Sequence, residues 1–316
     1  MKLLRLLLVL VAFLVLSLGI FWFLRPLDVD FEASRSQVPH QEFSHFADMD
    51  GLRIHYQECG AGTPLILVHG FMASSYDWKE ALTLVSNRFR VVAIDLKGFG
   101  FSAKPSGDYT LAAQADLVVR LLDHLKIDKA VLCGQSMGGN VVMRVALRHP
   151  ERVMGLILVD SAGLKPVNGK GGGAAPGYAR WPVIGPLVTA LALSSDAVVR
   201  SGLSKCYFDK AKVTGERVAT CYRVLRTRDG LSAAMATQAQ NSTDLTESLI
   251  GSLRQPTLVI WGAEDQLIPI EAGKRFNALI HGSRLVTFER CGHVPQAEMP
   301  RQFAKEVLEF LNSRPQ

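Results

Sequence analysis

The stretch AVLCGQSMGGNVVM, from Ala130 to Met143, sets one hydroxyl, that of Ser136, among three glycines and between two apolar runs. Small residues on both sides fit a backbone too tightly turned for larger side chains. Gly134-x-Ser136-x-Gly138 between a predicted strand and a predicted helix is the pattern of a serine on a strained strand-to-helix turn, its Oγ projecting above a helix N-terminus. Such a hydroxyl can attack a carbonyl carbon. The same glycines also suit an ordinary packed turn, so the chemical reading needs two partners: a histidine to take the proton and an acid to orient it, in the order Ser, Asp or Glu, His.

Both partners are found downstream. Asp265 follows the apolar run TLVIWG in WGAEDQLIP, and His293 follows RLVTFE in ERCGHVPQAE. Each falls in a loop after a predicted strand, where it can reach the sheet edge that carries Ser136. Of eight histidines, His293 alone combines this order with a post-strand Gly-His. Asp265 competes with a helix-capping role ahead of Ile270, and Glu264 and Asp160 are the rival acids. Attack on a carbonyl builds charge on its oxygen, which calls for two preorganised backbone donors. Met137, directly after the serine, supplies one, and Phe71, beside Gly70 in HGFMASS, supplies the other. His69 reads as a structural histidine, Trp78 and Trp261 as core.

The elements that must hold these residues alternate strand and helix from Phe43 onward. FADMDGLRIHYQE predicts a hairpin turning at Asp50-Gly51. PLILVHG, RVVAIDLKG, KAVLCGQS and VMGLILVDSAG are short continuous apolar runs, the mark of strands buried on both faces of a parallel sheet. Leucines at helical spacing predict a helix over Leu111 to Leu125. The rhythm breaks after Asp160: Ala162 to Leu249 carries the Gly-rich NGKGGGAAPG and helical pieces around Ala190 and Ala234. It resumes with PTLVIWGAED, a helix from Ile270, RLVTFERCGH and a last helix to Phe310. The expected fold class is therefore α/β, a doubly wound and mostly parallel sheet with an inserted helical cap over the strand ends where such sheets bind ligands. The expected boundaries are 43–161 and 250–316 for the core, 162–249 for the cap and 26–42 for a linker. No internal repeat is present.

With 316 residues, 48% of them apolar, the chain can bury a large core, and its net charge of +6 is spread without a basic run. That composition argues against a nucleic-acid partner. The first 25 residues stand apart. After Lys2 and Arg5, the segment Leu6 to Leu24 carries no charge and approaches the ~20 residues that cross a ~30 Å hydrocarbon layer. It is longer than the ~7–15 apolar residues of a signal peptide and lacks an A-x-A-like cleavage site. The expectation is an uncleaved single-pass anchor, with the catalytic domain outside the cytoplasm (periplasmic if bacterial), or else a cleaved signal and a secreted protein. Of five cysteines, Cys206 and Cys221 share one polar helix-like segment. A bridge between them in an oxidising compartment and five free thiols both fit.

HGFMASSYDW, DLKGFGFSAKP, GQSMGG, WGAEDQLIP and GHVPQAEMP together resemble the α/β-hydrolase fold superfamily, in its capped esterase, lipase and carbon–carbon-bond hydrolase branch. The resemblance runs from Phe43 to the C-terminus and is weakest across the cap. It implies the triad Ser136, Asp265 and His293, an oxyanion hole at Phe71 and Met137, and no metal or cofactor. Haloalkane dehalogenases and epoxide hydrolases are argued against, since they carry an aspartate where Ser136 stands. Lys97 departs from the pattern, which more often has proline or arginine. The function expected is hydrolysis of a small-molecule carboxylic ester through an acyl-enzyme. The alternatives are a carbon–carbon-bond hydrolase or perhydrolase with the same triad, or a non-catalytic binding module on the same fold. The apolar segment Trp181 to Leu193, WPVIGPLVTALAL, suggests a lipophilic acyl group.

Overall fold

A computed structural model of the chain describes residues 2–165, 195–240 and 245–313, except the side chains of 3, 4, 7 and 8. Eight strands form one sheet in the order β1-β2-β4-β3-β5-β6-β7-β8. They are β1 (Ser44–Met49), β2 (Leu52–Cys59), β3 (Thr63–Val68), β4 (Phe89–Ile94), β5 (Ala130–Gln135), β6 (Val153–Val159), β7 (Thr257–Gly262) and β8 (Arg284–Phe288). β2 pairs antiparallel with β1 and β4, and every other pairing is parallel. The hairpin turns where the sequence predicts it: Asp50 and Gly51 take φ of 57° and 76°, the left-handed pair that a two-residue hairpin requires.

Alternation along each parallel strand feeds two separate cores. Ile66, Val68, Leu132, Leu156, Leu158, Val259 and Trp261 meet the helices Leu111–His124, Met137–Arg148 and Ile270–Leu279 on one face. Leu65, Leu67, Val131, Cys133, Ile157 and Ile260 meet the helices Lys79–Val85 and Pro300–Asn312 on the other. With both faces covered, polar residues are confined to the strand ends, as at Gln135 and Thr257, which is why these strands read as continuous apolar runs. Trp78 and Trp261 are fully buried in these cores, as expected.

Between β6 and β7 the described elements are helical: Asp196–Cys206, Gly215–Leu225, Arg228–Gln240 and the short Glu247–Gly251. Val199, Tyr207, Val213, Val218 and Leu225 form a small core of their own, completed by Val294 and Ala297 from beyond β8. The inserted cap is thus seated on the loop that bears His293. The Gly-rich stretch, the helical piece around Ala190 and the apolar segment Trp181 to Leu193 lie outside the described residues.

The N-terminal expectation is corrected. Among the described residues no helix is long and apolar enough to cross a membrane. The helix Lys2–Phe23 takes Lys2 and Arg5 into its own first turns, so its uncharged part, from Leu6 on, is ~27 Å long at ~1.5 Å per residue. That is at the short end of what a membrane-crossing helix uses. Its far end is also claimed by protein: the Arg228 guanidinium lies 5.4 Å from the Phe23 ring centre, and the N–H groups of Arg228 and Asp229 donate to the carbonyls of Pro26 and Leu27. Membrane anchoring, the membrane as a partner and the placement of the domain outside the cytoplasm lose their basis together.

Candidate active site

Four neighbouring strands end in four polar residues at one sheet edge: β5 runs directly into Ser136, β6 into Asp160, and the loops after β7 and β8 carry Asp265 and His293. This is the carboxyl end of the sheet, where open α/β folds place their sites.

Ser136 caps the helix Met137–Arg148 with φ 53° and ψ −118°, a strained conformation for a residue with a side chain. The flanking glycines are required sterically. A Cβ on Gly134 would lie 2.3 Å from the Gly138 carbonyl oxygen, and one on Gly138 would lie 2.2 Å from that of Val68. Helix and strands therefore approach closely around a half-buried hydroxyl.

His293 and Asp265 are both buried, and the Nδ1–H of His293 donates to Asp265 Oδ2 across 2.6 Å. Asp265 is held by its own loop, its Oδ1 accepting from the N–H groups of Leu267 at 2.7 Å and Ile268 at 3.0 Å. Asp265 does not cap the helix Ile270–Leu279, whose N-cap is Pro269 with no side-chain cap bond; one of its oxygens serves its own loop and the other the histidine. With Nδ1–H committed to a carboxylate, Nε2 is the imidazole nitrogen left to accept a proton. Gln135, the residue before the serine, donates through Nε2 to the His293 carbonyl at 2.8 Å, tying the histidine loop to the serine turn. The rival Glu264 faces away, accepting from the Cys291 N–H at 2.9 Å. Asp160 does lie beside the pair: one side-chain donor or acceptor atom each from Asp160, Asp265 and His293 fall within 4.8 Å of one another. Three such atoms could seat a cation, but the 2.6 Å hydrogen bond already engages Nδ1 and Oδ2.

The Phe71 loop is pressed against the same point. A Cβ on Gly70 would sit 3.1 Å from the Ser136 Cβ and 2.3 Å from Gln135 Oε1, so a side chain there would have to displace Gln135 or press on the serine. The Phe71 ring meets Phe99 edge-on at 6.0 Å. Its N–H has no acceptor among the described residues, and the N–H of Met137, in the first turn of its helix, is one that a helix leaves unpaired. His69 is structural as read, accepting from the Leu96 N–H at 3.0 Å through Nε2.

Three neighbours escaped the sequence reading. Glu298 is 1% exposed and accepts from the N–H groups of Gly292, Phe208 and Asp209 at 2.8, 3.2 and 2.7 Å, clasping the histidine loop to the cap. The His293 N–H donates in turn to the Cys206 carbonyl at 2.7 Å. Gln135 is the second. Asp77, half-buried in the turn Ser75–Trp78, is the third; burial pushes its carboxyl up to about 6 against the pull of Arg217, and His293 is among the charges it senses. A charge set between Tyr76 and Trp78, and one acid in the apolar VPQAEMP, are the only local signals. Cys206 and Cys221 remain thiols, and burial pushes both up to about 12.

A strained serine at the end of the fifth strand, an acid after the seventh and a histidine after the eighth, on a sheet in this order, define a class. Residues 63–300 match the α/β hydrolase fold family, and the chain belongs to that family as one of its hydrolases. It is 31% identical to a 2-hydroxy-6-oxo-2,4-heptadienoate hydrolase of Pseudomonas putida, over 83% of this chain and 93% of that one. A solved meta-cleavage product hydrolase superposes with TM-score 0.71 at 28% identity, covering 86% of this chain and 99% of its own. A solved membrane phospholipase A, described as a bacterial virulence factor, superposes with TM-score 0.71 at 26% identity, over 99% of this chain and 98% of its own.

Proposed function

We propose that the protein cleaves carboxylic esters through an acyl-enzyme on Ser136. The observation that carries the reading is the 2.6 Å Asp265–His293 pair, tied to the serine turn through Gln135, the residue before the strained serine. His293 Nε2 takes the Ser136 proton as Oγ attacks the ester carbonyl, and the N–H groups of Phe71 and Met137 receive the oxyanion. Collapse expels the alcohol, which takes the proton from His293. Water then gives a proton to His293 and its oxygen to the acyl carbon, Ser136 leaves and recovers its proton, and the carboxylic acid departs.

The dienoate relative favours a second reading, carbon–carbon-bond hydrolysis with the same triad. The surroundings of His293 weigh against it. Asp77 and Glu298 bring carboxyl groups to the surroundings of His293 beside its Asp265 partner, and a dienoate brings another negative charge. An uncharged acyl group suits the site better. The full-length likeness to a phospholipase supports a lipophilic one.

Hydrolysis of p-nitrophenyl esters of rising chain length, run beside a 2-hydroxy-6-oxo-dienoate, separates the readings. The ester account expects kcat/KM for the best ester to exceed that for the dienoate by ~10-fold or more, equivalent to ~1.4 kcal/mol of transition-state binding. The reverse ranking replaces it with the carbon–carbon reading.

A further inference from the structure

Asp160 is a residue the mechanism does not use, yet four observations single it out. It is fully buried. Its backbone sits at φ 41°, a region that non-glycine residues occupy only under constraint, and it is held there by its N–H on the Ile260 carbonyl at 3.0 Å. Its Oδ1 accepts from the Gly262 N–H at 3.0 Å, while Oδ2 has no hydrogen-bond partner among the described residues. A buried polar oxygen left this way needs an explanation. The fourth observation is its company, since a carboxyl oxygen of Asp160 lies within 4.8 Å of one of Asp265 and of a His293 ring nitrogen.

Two buried carboxyls this close cannot both ionise without large cost, so one holds a proton. Asp265 has three hydrogen-bond donors on its oxygens, from Leu267, Ile268 and His293, and Asp160 has one. The charge therefore rests on Asp265 and the proton on Asp160. Burial, reinforced by the Asp265 carboxylate, pushes the Asp160 carboxyl well above its usual range.

Resting on the proposed hydrolase mechanism, we propose that Asp160 is a second, reserve acid of the triad. As a neutral carboxylic acid it turns its proton toward Asp265 and positions that carboxylate, so that the two together present one negative charge to His293. Without the Asp265 charge, Asp160 gives up its proton and becomes the partner of the imidazole. The groups that face it are Asp265 and His293, Glu298 from the helix Pro295–Glu298, and the buried thiol of Cys291.

The test is a double-mutant cycle on ester kcat with Asp265→Asn, Asp160→Asn and the pair. Asp160→Asn in the parent is expected to cost several-fold. Asp265→Asn is expected to cost ~10²-fold, and the pair ~10⁴-fold, the loss seen when a triad histidine has no carboxylate at all. The loss on removing Asp160 is then far larger without Asp265 than with it. A merely structural role gives the same factor in both backgrounds, and that result overturns the proposal. A second readout needs no change at Asp160: residual activity of Asp265→Asn should climb with pH, as a buried carboxyl with a raised pKa ionises, and a profile like that of the parent also overturns it. Ser136→Ala, assayed in parallel, separates the two failures. If it abolishes activity while the cycle is additive, only the role of Asp160 falls; if it stays active, the hydrolase mechanism itself has failed.

Discussion

Ser136→Ala is expected to lower kcat for ester hydrolysis by ~10³–10⁶, and adding His293→Ala to that variant is expected to cost little more. The reason is that the residues act as a unit. In the proposed mechanism His293 contributes only by taking and returning the proton of one particular hydroxyl, and once Oγ is gone its Nε2 has nothing to activate. Donors at Phe71 and Met137 would survive both changes, leaving a residual rate of ~10³–10⁴ over water. Steady-state kinetics on the two single variants and the pair checks this. Independent, multiplying losses would mean that Ser136 and His293 serve different steps, and full activity in Ser136→Ala would reduce the glycine-flanked serine to a turn.

The second large effect falls on the fold. Gly138→Ala is expected to destabilise the protein by ~3 kcal/mol or more, the upper end of overpacking costs. Its Cβ would meet two backbone oxygens, those of Val68 at 2.2 Å and His69 at 2.6 Å, and neither can swing aside as a side-chain end could. The helix Met137–Arg148 would have to lift from β3, carrying Ser136 with it. At ~2.1 cal/mol/K of unfolding entropy per residue, for 316 residues that predicts a melting temperature lower by ~4–5 °C or more. Gly215→Ala is the control: a Cβ there meets nothing within 4 Å, and alanine is the better helix former. Differential scanning calorimetry reads both. An unchanged melting temperature in Gly138→Ala would show that strand and helix do not approach as closely as the site requires.

Much of the candidate site could be read from the chain because its members are bound to local patterns. A strand covered on both faces keeps polar residues to its ends, so β3, β5, β6 and β7 appear as apolar runs whose ends locate the sheet edge. Ser136 betrays itself by glycines that only a close helix–strand crossing explains. Asp265 and His293 follow from order and from standing just past strands. What stayed hidden depends on distance in space. Nothing around Glu298 tells that its carboxylate gathers N–H groups from residues as remote as Phe208 and Asp209. Asp160 could be seen as a rival for the acid role but not as its neighbour, since only the β6–β7 pairing places them together. The N-terminal run misled because counting uncharged residues ignores how a helix uses them. Its first turns take in Lys2 and Arg5, and its last residues turn to Arg228 and the cap.

The most direct test of the central claim, that Ser136 is the attacking group, is covalent trapping with a fluorophosphonate followed by peptide mass mapping. A phosphonate takes the place of the acyl group and cannot be turned over by water at the same rate, so it marks the nucleophile itself. The account predicts one phosphonyl group per chain, on the peptide containing Ser136, with ester hydrolysis lost in proportion to labelling and no labelling of Ser136→Ala. Stoichiometric labelling at another residue, or inactivation of Ser136→Ala at the parent rate, would contradict it.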